Sequence, residues 1–208
     1  MINPYRSPSQ SRQTVPGQFP VTIYLTLVVL VIAAITSRIS VDRYADVLHW
    51  LGFSWGVLAD GRIWQVFTGT LLQSKPGIEL NEFLTVVSAL ALGEYFAGSR
   101  RTLIVFFVSD WIATFLTAIA IRVLAHFEVA DSVMHVIPPD SGSSAACHGV
   151  FALAASLLPG KWAGAGFSIL LIAAIVQLWT VSLGAAVAHL LAVGVGAAFG
   201  WKIRHQPR

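Results

Sequence analysis

The sequence predicts an all-α membrane protein, a bundle of six transmembrane helices. Three observations carry that expectation. Of the 208 residues, 56% are hydrophobic and only 11% charged, whereas about a quarter of an average soluble domain is charged. Mean hydropathy is +0.73. Apolar runs approaching the roughly 20 residues that span a bilayer recur along the chain, and the polar segments between them leave little room for an extramembrane domain.

Residues 1–20, rich in Ser, Gln, Pro and Arg, read as a disordered cytoplasmic tail ahead of a membrane domain over 21–204. The first apolar run, 21–37, is not followed by a small-residue cleavage site, so it reads as an uncleaved helix. The other runs are 80–98, 102–125, 144–159, 163–181 and 184–202. The second is the least apolar, carrying Asn81, Glu82 and Glu94, and the fourth is short.

Loop charge sets the orientation, because cytoplasmic loops hold an excess of Lys and Arg. With the N-terminus inside, the inner segments receive Arg6, Arg12, Arg100, Arg101, Lys161, Lys202, Arg204 and Arg208, eight of the 13 basic residues. The outer 127–143 loop has none. Both termini are therefore expected on the cytoplasmic side, in the cell membrane. The outer 38–79 segment holds Trp50, Phe53, Trp55, Trp64 and Phe67, rings that favour the headgroup interface, so it reads as an interfacial segment and not a free polar loop.

Several function classes lose ground. The net charge of +3 is spread over helix ends and forms no stripe for nucleic acid. A lone Cys147 excludes an internal disulfide and reads as a small buried residue. There is no internal repeat, phosphate-binding glycine loop or zinc-spaced Cys/His cluster, so neither metal nor organic cofactor is implied. The lipid bilayer is the one partner composition demands.

Two polar residues inside apolar runs carry the chemistry. Ser144 follows Pro138-Pro139-Asp140-Ser141-Gly142-Ser143 at the start of the fourth run, where Pro, Asp, Gly and Ser end a loop and cap a helix. Its hydroxyl would stand beside free backbone N–H groups at the positive end of the helix dipole, including that of Ala145. Capping alone also accounts for these serines. His189 lies inside the sixth run, where an ionisable residue is a functional candidate. Ala192 and Gly196 share its helix face, so this face can pack closely on a neighbour. A neutral imidazole beside a serine hydroxyl suffices for general-base activation. Asp110 and Arg122 share the third run but lie about 18 Å apart along a helix; Asp110 is expected to bond neighbouring segments instead.

Gly142-Ser143-Ser144-Ala145 resembles the GxSx nucleophile motif of the rhomboid family, and His189-x-x-Ala192-x-x-x-Gly196 is similar to its HxxGxxxG. Trp64-Gln65-Val66-Phe67-Thr68 resembles the family's Trp-Arg segment, and Glu94-x-x-x-Gly98-Ser99-Arg100-Arg101 its second-helix exit. The resemblance implies a six-transmembrane-helix rhomboid-like bundle and an intramembrane serine protease. Ser144 would be the nucleophile and His189 the general base and acid of a dyad that cleaves a transmembrane protein substrate. His148, one turn after Ser144, stands where the family stacks an aromatic ring on the catalytic histidine; it would stack there or compete for the hydroxyl.

The chain departs from the family at Gln65 for Arg and Ala145 for Gly. A gap-free count from Trp64 to Glu94 also puts Ile78 and Glu82 where the family places a His and an Asn that stabilise the oxyanion. Asn81 and Gln73 are the nearby amides that could substitute. Losing such a donor typically costs about 10²- to 10³-fold in rate. A catalytically inactive rhomboid-like protein that binds a transmembrane client is the alternative reading.

Overall fold

The computed structural model describes residues 19–53, 61–73, 75–126, 142–180 and 183–206. Residues 1–18 of the expected tail and 127–141 of the outer loop, with Pro138, Pro139, Asp140 and Ser141, lie outside the described residues. The described chain is all-helical: α1 (Pro20–Thr36), α2 (Val41–Leu51), α3 (Gln65–Thr68), α4 (Leu80–Ala97), α5 (Ser99–His126), α6 (Ser144–Leu157), α7 (Lys161–Thr180) and α8 (Leu183–Arg204), with a single 3₁₀ turn over Gly69–Leu71 after α3. Each apolar run forms one helix. The third starts three residues earlier than expected, because Gly98, at φ 83°, reverses the chain in one step and Ser99, Arg100 and Arg101 form the first turn of α5. Among the described residues, Ser99–Ile121 and Leu183–Arg204 are long and apolar enough to cross a bilayer.

Within the 38–79 segment the described residues are folded, and Trp55 lies outside them. The last carbonyls of α2 have no partners within the helix, and side chains from 62–68 supply them. Arg62 Nη1 donates to His49 O at 2.9 Å and Gln65 Nε2 to the same oxygen at 2.6 Å. Trp64 Nε1 donates to Trp50 O at 3.2 Å, and Thr68 Oγ1 to Leu51 O at 2.6 Å. Gln65 is thus a buried anchor of this loop. Tyr44, also buried, donates its hydroxyl to Gln73 O at 2.5 Å, and burial pushes its phenol above the ordinary range.

Glu94 explains one polar blemish of the second run. Its buried carboxylate accepts the backbone N–H of Val21 at 3.0 Å, that of Thr22 at 2.7 Å and the Thr22 hydroxyl at 2.6 Å. It satisfies the open N-terminus of α1 and fastens α1 to the end of α4.

The shortness of the fourth run has its own reason. Nearly every residue of α6 from Ala145 to Ser156 is buried, and the helix packs against α4, α5, α7 and α8. Its 14 residues rise about 21 Å, less than the roughly 30 Å of a hydrocarbon core. The α6–α8 pair is the most extensive contact in the fold. Small residues let the two backbones approach closely. A Cβ at Gly196 would stand 1.9 Å from Gly149 O, and one at Gly149 would stand 2.1 Å from Ser109 Oγ. Only glycine fits at either crossing.

Candidate active site

The Gly149–Gly196 crossing fixes what meets one to two turns toward the N-terminal ends of α6 and α8. Ser144 is the first residue of α6, and His189 lies two turns before Gly196 on the buried face of α8. His189 Nε2 is 2.9 Å from Ser144 Oγ. The histidine is buried, at 4% exposure, whereas Ser144 is exposed. A buried base thus faces the hydroxyl of an exposed serine at hydrogen-bonding distance, the geometry a nucleophile–base pair requires.

His148 stacks on His189 with ring centroids 4.1 Å apart and planes 8° from parallel. Its Nδ1 contacts the Ser144 carbonyl at 2.8 Å. A carbonyl only accepts, so Nδ1 carries a proton and is committed to the backbone. Of the two roles open to His148, stacking is the one its geometry adopts.

The start of α6 is seated on the segment after α3. Gly142, at φ 127°, occupies the left-handed region that favours glycine, and its N–H donates to Gly69 O at 3.1 Å. Ser143 makes no side-chain cap, so the first N–H groups of α6, that of Ala145 among them, have no acceptor within the helix. A cleft of about 10 Å³ opens beside Ser144, lined by Phe53, Val66, Thr70, Asp110, Thr114 and Ala145 among others. It holds about one water. Asp110 accepts the Thr70 hydroxyl at 2.6 Å, and Trp111 Nε1 donates to the same Thr70 oxygen at 3.2 Å, which fixes the far wall to α5. Asp110 bonds a neighbouring segment, as its place in an apolar run requires.

The two amide candidates separate. Gln73 is 6% exposed, and its Oε1 lies 3.6 Å from where a Cβ of Gly142 would stand. Among the described residues its Nε2 has no hydrogen-bond partner. Leaving a buried donor unpaired costs roughly 1–3 kcal/mol. Asn81 is not brought to the cleft: its side chain is exposed on the first turn of α4, and its carbonyl accepts the Thr85 hydroxyl. Ile78 and Glu82 line a different cavity, about 420 Å³, with Leu30, Ala33 and Ser37 of the α1 region. Glu82 closes a capping box by accepting the Glu79 N–H at 3.1 Å. Its carboxylate is thus turned to the start of α4 and not to the cleft beside Ser144.

One residue escaped sequence reasoning. Gln177, near the end of α7, contacts His189 Nδ1 through its Oε1. The signal was an amide inside the otherwise apolar run 163–181, and nothing in its spacing names a partner. Among the described residues, no group of three His, Cys, Asp or Glu side chains gathers to hold a metal. No protein-family model and no curated protein matches this sequence.

Proposed function

We propose that the chain is an intramembrane serine protease of rhomboid type that cleaves transmembrane protein substrates. In this reading α1, α4, α5, α6, α7 and α8 cross the cell membrane with both termini cytoplasmic. The observation that carries it is the 2.9 Å contact between His189 Nε2 and Ser144 Oγ, between helices too closely packed to admit a side chain at Gly196.

The chemistry follows from the geometry. Ser144 Oγ attacks the substrate carbonyl carbon while its proton passes to His189 Nε2. The carbonyl oxygen becomes an oxyanion, stabilised by the N–H of Ala145 at the start of α6 and by the free Gln73 amide. The intermediate collapses as His189 returns the proton to the departing amine, leaving an acyl-Ser144 ester. Water, deprotonated by the same histidine, hydrolyses that ester. No acid is needed as a third member.

One observation favours the alternative, a client-binding protein without activity. The cleft beside Ser144 has room for about one water, so a peptide enters only if its walls part. A fluorophosphonate probe separates the readings on the full chain in detergent or bilayer. Labelling of the parent but not of Ser144→Ala or His189→Ala supports the protease. An unlabelled parent with a native thermal transition supports the client-binding protein.

A further inference from the structure

We propose that Gln177 is a positioning residue which holds His189 in the tautomer that accepts a proton at Nε2; the inference rests on the Ser144–His189 reading.

A neutral imidazole has one N–H and one bare nitrogen, and only the bare nitrogen takes a proton from serine. His189 has contacts at both positions, Ser144 Oγ at Nε2 and Gln177 Oε1 at Nδ1. An amide oxygen only accepts. Facing it, Nδ1 must carry the proton, which leaves the Nε2 lone pair toward the hydroxyl. Stacking by His148 fixes the plane of the ring, but a stacked ring has no preference between its nitrogens. Tautomer selection therefore falls to Gln177. A neutral amide serves this purpose in a low-dielectric site without the desolvation cost of a carboxylate.

The amide also has an opposite orientation. With its N–H₂ toward Nδ1, Gln177 would donate, Nε2 would hold the proton, and His189 would be unable to act as base. The two orientations predict opposite ring protonation. Gln177→Met removes both at similar volume, and Gln177→Glu retains an acceptor oxygen.

The test is ¹⁵N NMR of histidine-labelled full-length chain in lipid nanodiscs, with the His189 signals assigned by their loss in His189→Ala. The expected result is a protonated Nδ1 and a bare Nε2 in the parent. Gln177→Met should shift population to the Nε2-protonated form, and Gln177→Glu should restore the parent pattern. A parent already protonated at Nε2, or a Gln177→Met pattern equal to the parent's, overturns the proposal. If Gln177→Met does not fold, the parent spectrum and Gln177→Glu still decide it. In turnover of a transmembrane substrate, Gln177→Met should lower kcat about tenfold, or 1.4 kcal/mol of barrier, with KM within about twofold, since wrong tautomers slow chemistry and not binding. An equal loss in kcat and gain in KM overturns it as well. Failure of the parent reading is distinguishable, because Ser144 then resists the fluorophosphonate while the His189 ring signature and its dependence on Gln177 persist.

Discussion

Adding one methyl group at Gly196 tests whether close packing of α6 on α8 is what brings Ser144 to His189. A Cβ there would lie 1.9 Å from Gly149 O, 2.7 Å from its C and 3.0 Å from its Cα. All three atoms are backbone, so no side chain can rotate away. A comfortable carbon–oxygen contact is about 3.3 Å or more, so the helices must part by roughly 1.4 Å at the crossing. Overpacking of this kind typically costs about 1–3 kcal/mol. The displacement carries to the dyad, where a misplacement of about 1 Å costs on the order of 10²-fold in rate. Gly196→Ala should therefore lower the thermal transition and slow fluorophosphonate labelling of Ser144 by about 10²-fold. Gly194→Ala is the control on the same helix, since nothing stands within 4 Å of a Cβ there. It should leave labelling unchanged and be neutral or stabilising by about 0.5–1 kcal/mol, the helix-propensity gain. If Gly196→Ala melts and labels like the parent, the crossing does not set the dyad and the reasoning fails.

Gln73→Leu should cut turnover by about 10²- to 10³-fold with the thermal transition unchanged or raised, because it removes an unpaired buried donor; a loss of stability equal to the loss of rate would assign Gln73 a structural role. Tyr44→Phe removes the bond that holds the Gln73 carbonyl and should cost about 1 kcal/mol of stability and a severalfold slower rate, measured by the same two assays. Glu94→Leu should lower stability by about 2–3 kcal/mol, since three donors at the start of α1 lose a charged acceptor, and limited proteolysis near residue 20 should speed up. Ile78→His combined with Glu82→Asn should not accelerate turnover beyond about twofold, because both positions face the cavity beside α1; a tenfold gain, equal to 1.4 kcal/mol, would show that they reach the oxyanion.

The apolar runs and the pairing of Ser144 with His189 were legible in the sequence, and the stacked place of His148 was one of two that the family resemblance left open. A polar residue inside an apolar run is informative by type alone, because burial in lipid is costly unless the residue is partnered or functional. Small residues three and seven positions after His189 mark the face that can approach another backbone, so the packing side of α8 follows from spacing. The same logic covers Ser144, whose place after Pro, Asp and Gly marks a helix start.

What the sequence could not decide was which side chains meet across helices that differ in rotation and depth. A gap-free count from Trp64 to Glu94 placed Ile78 and Glu82 where donors are expected, but a count along the chain carries no information on which way the first turn of α4 faces. The tertiary structure turns it toward α1, using Glu82 in a capping box. Gln73 comes to lie beside Gly142, two residues before Ser144, with its carbonyl held by Tyr44, 29 residues earlier, and Gly142 bonded to Gly69 of the 3₁₀ turn after α3. Gln177 meets His189 across the connection between α7 and α8, 12 residues apart, a pairing fixed by how the two helices rotate against each other. Spacing determines contacts within one helix, where the period is constant; contacts between helices depend on rotation and depth, which only packing of the whole bundle sets.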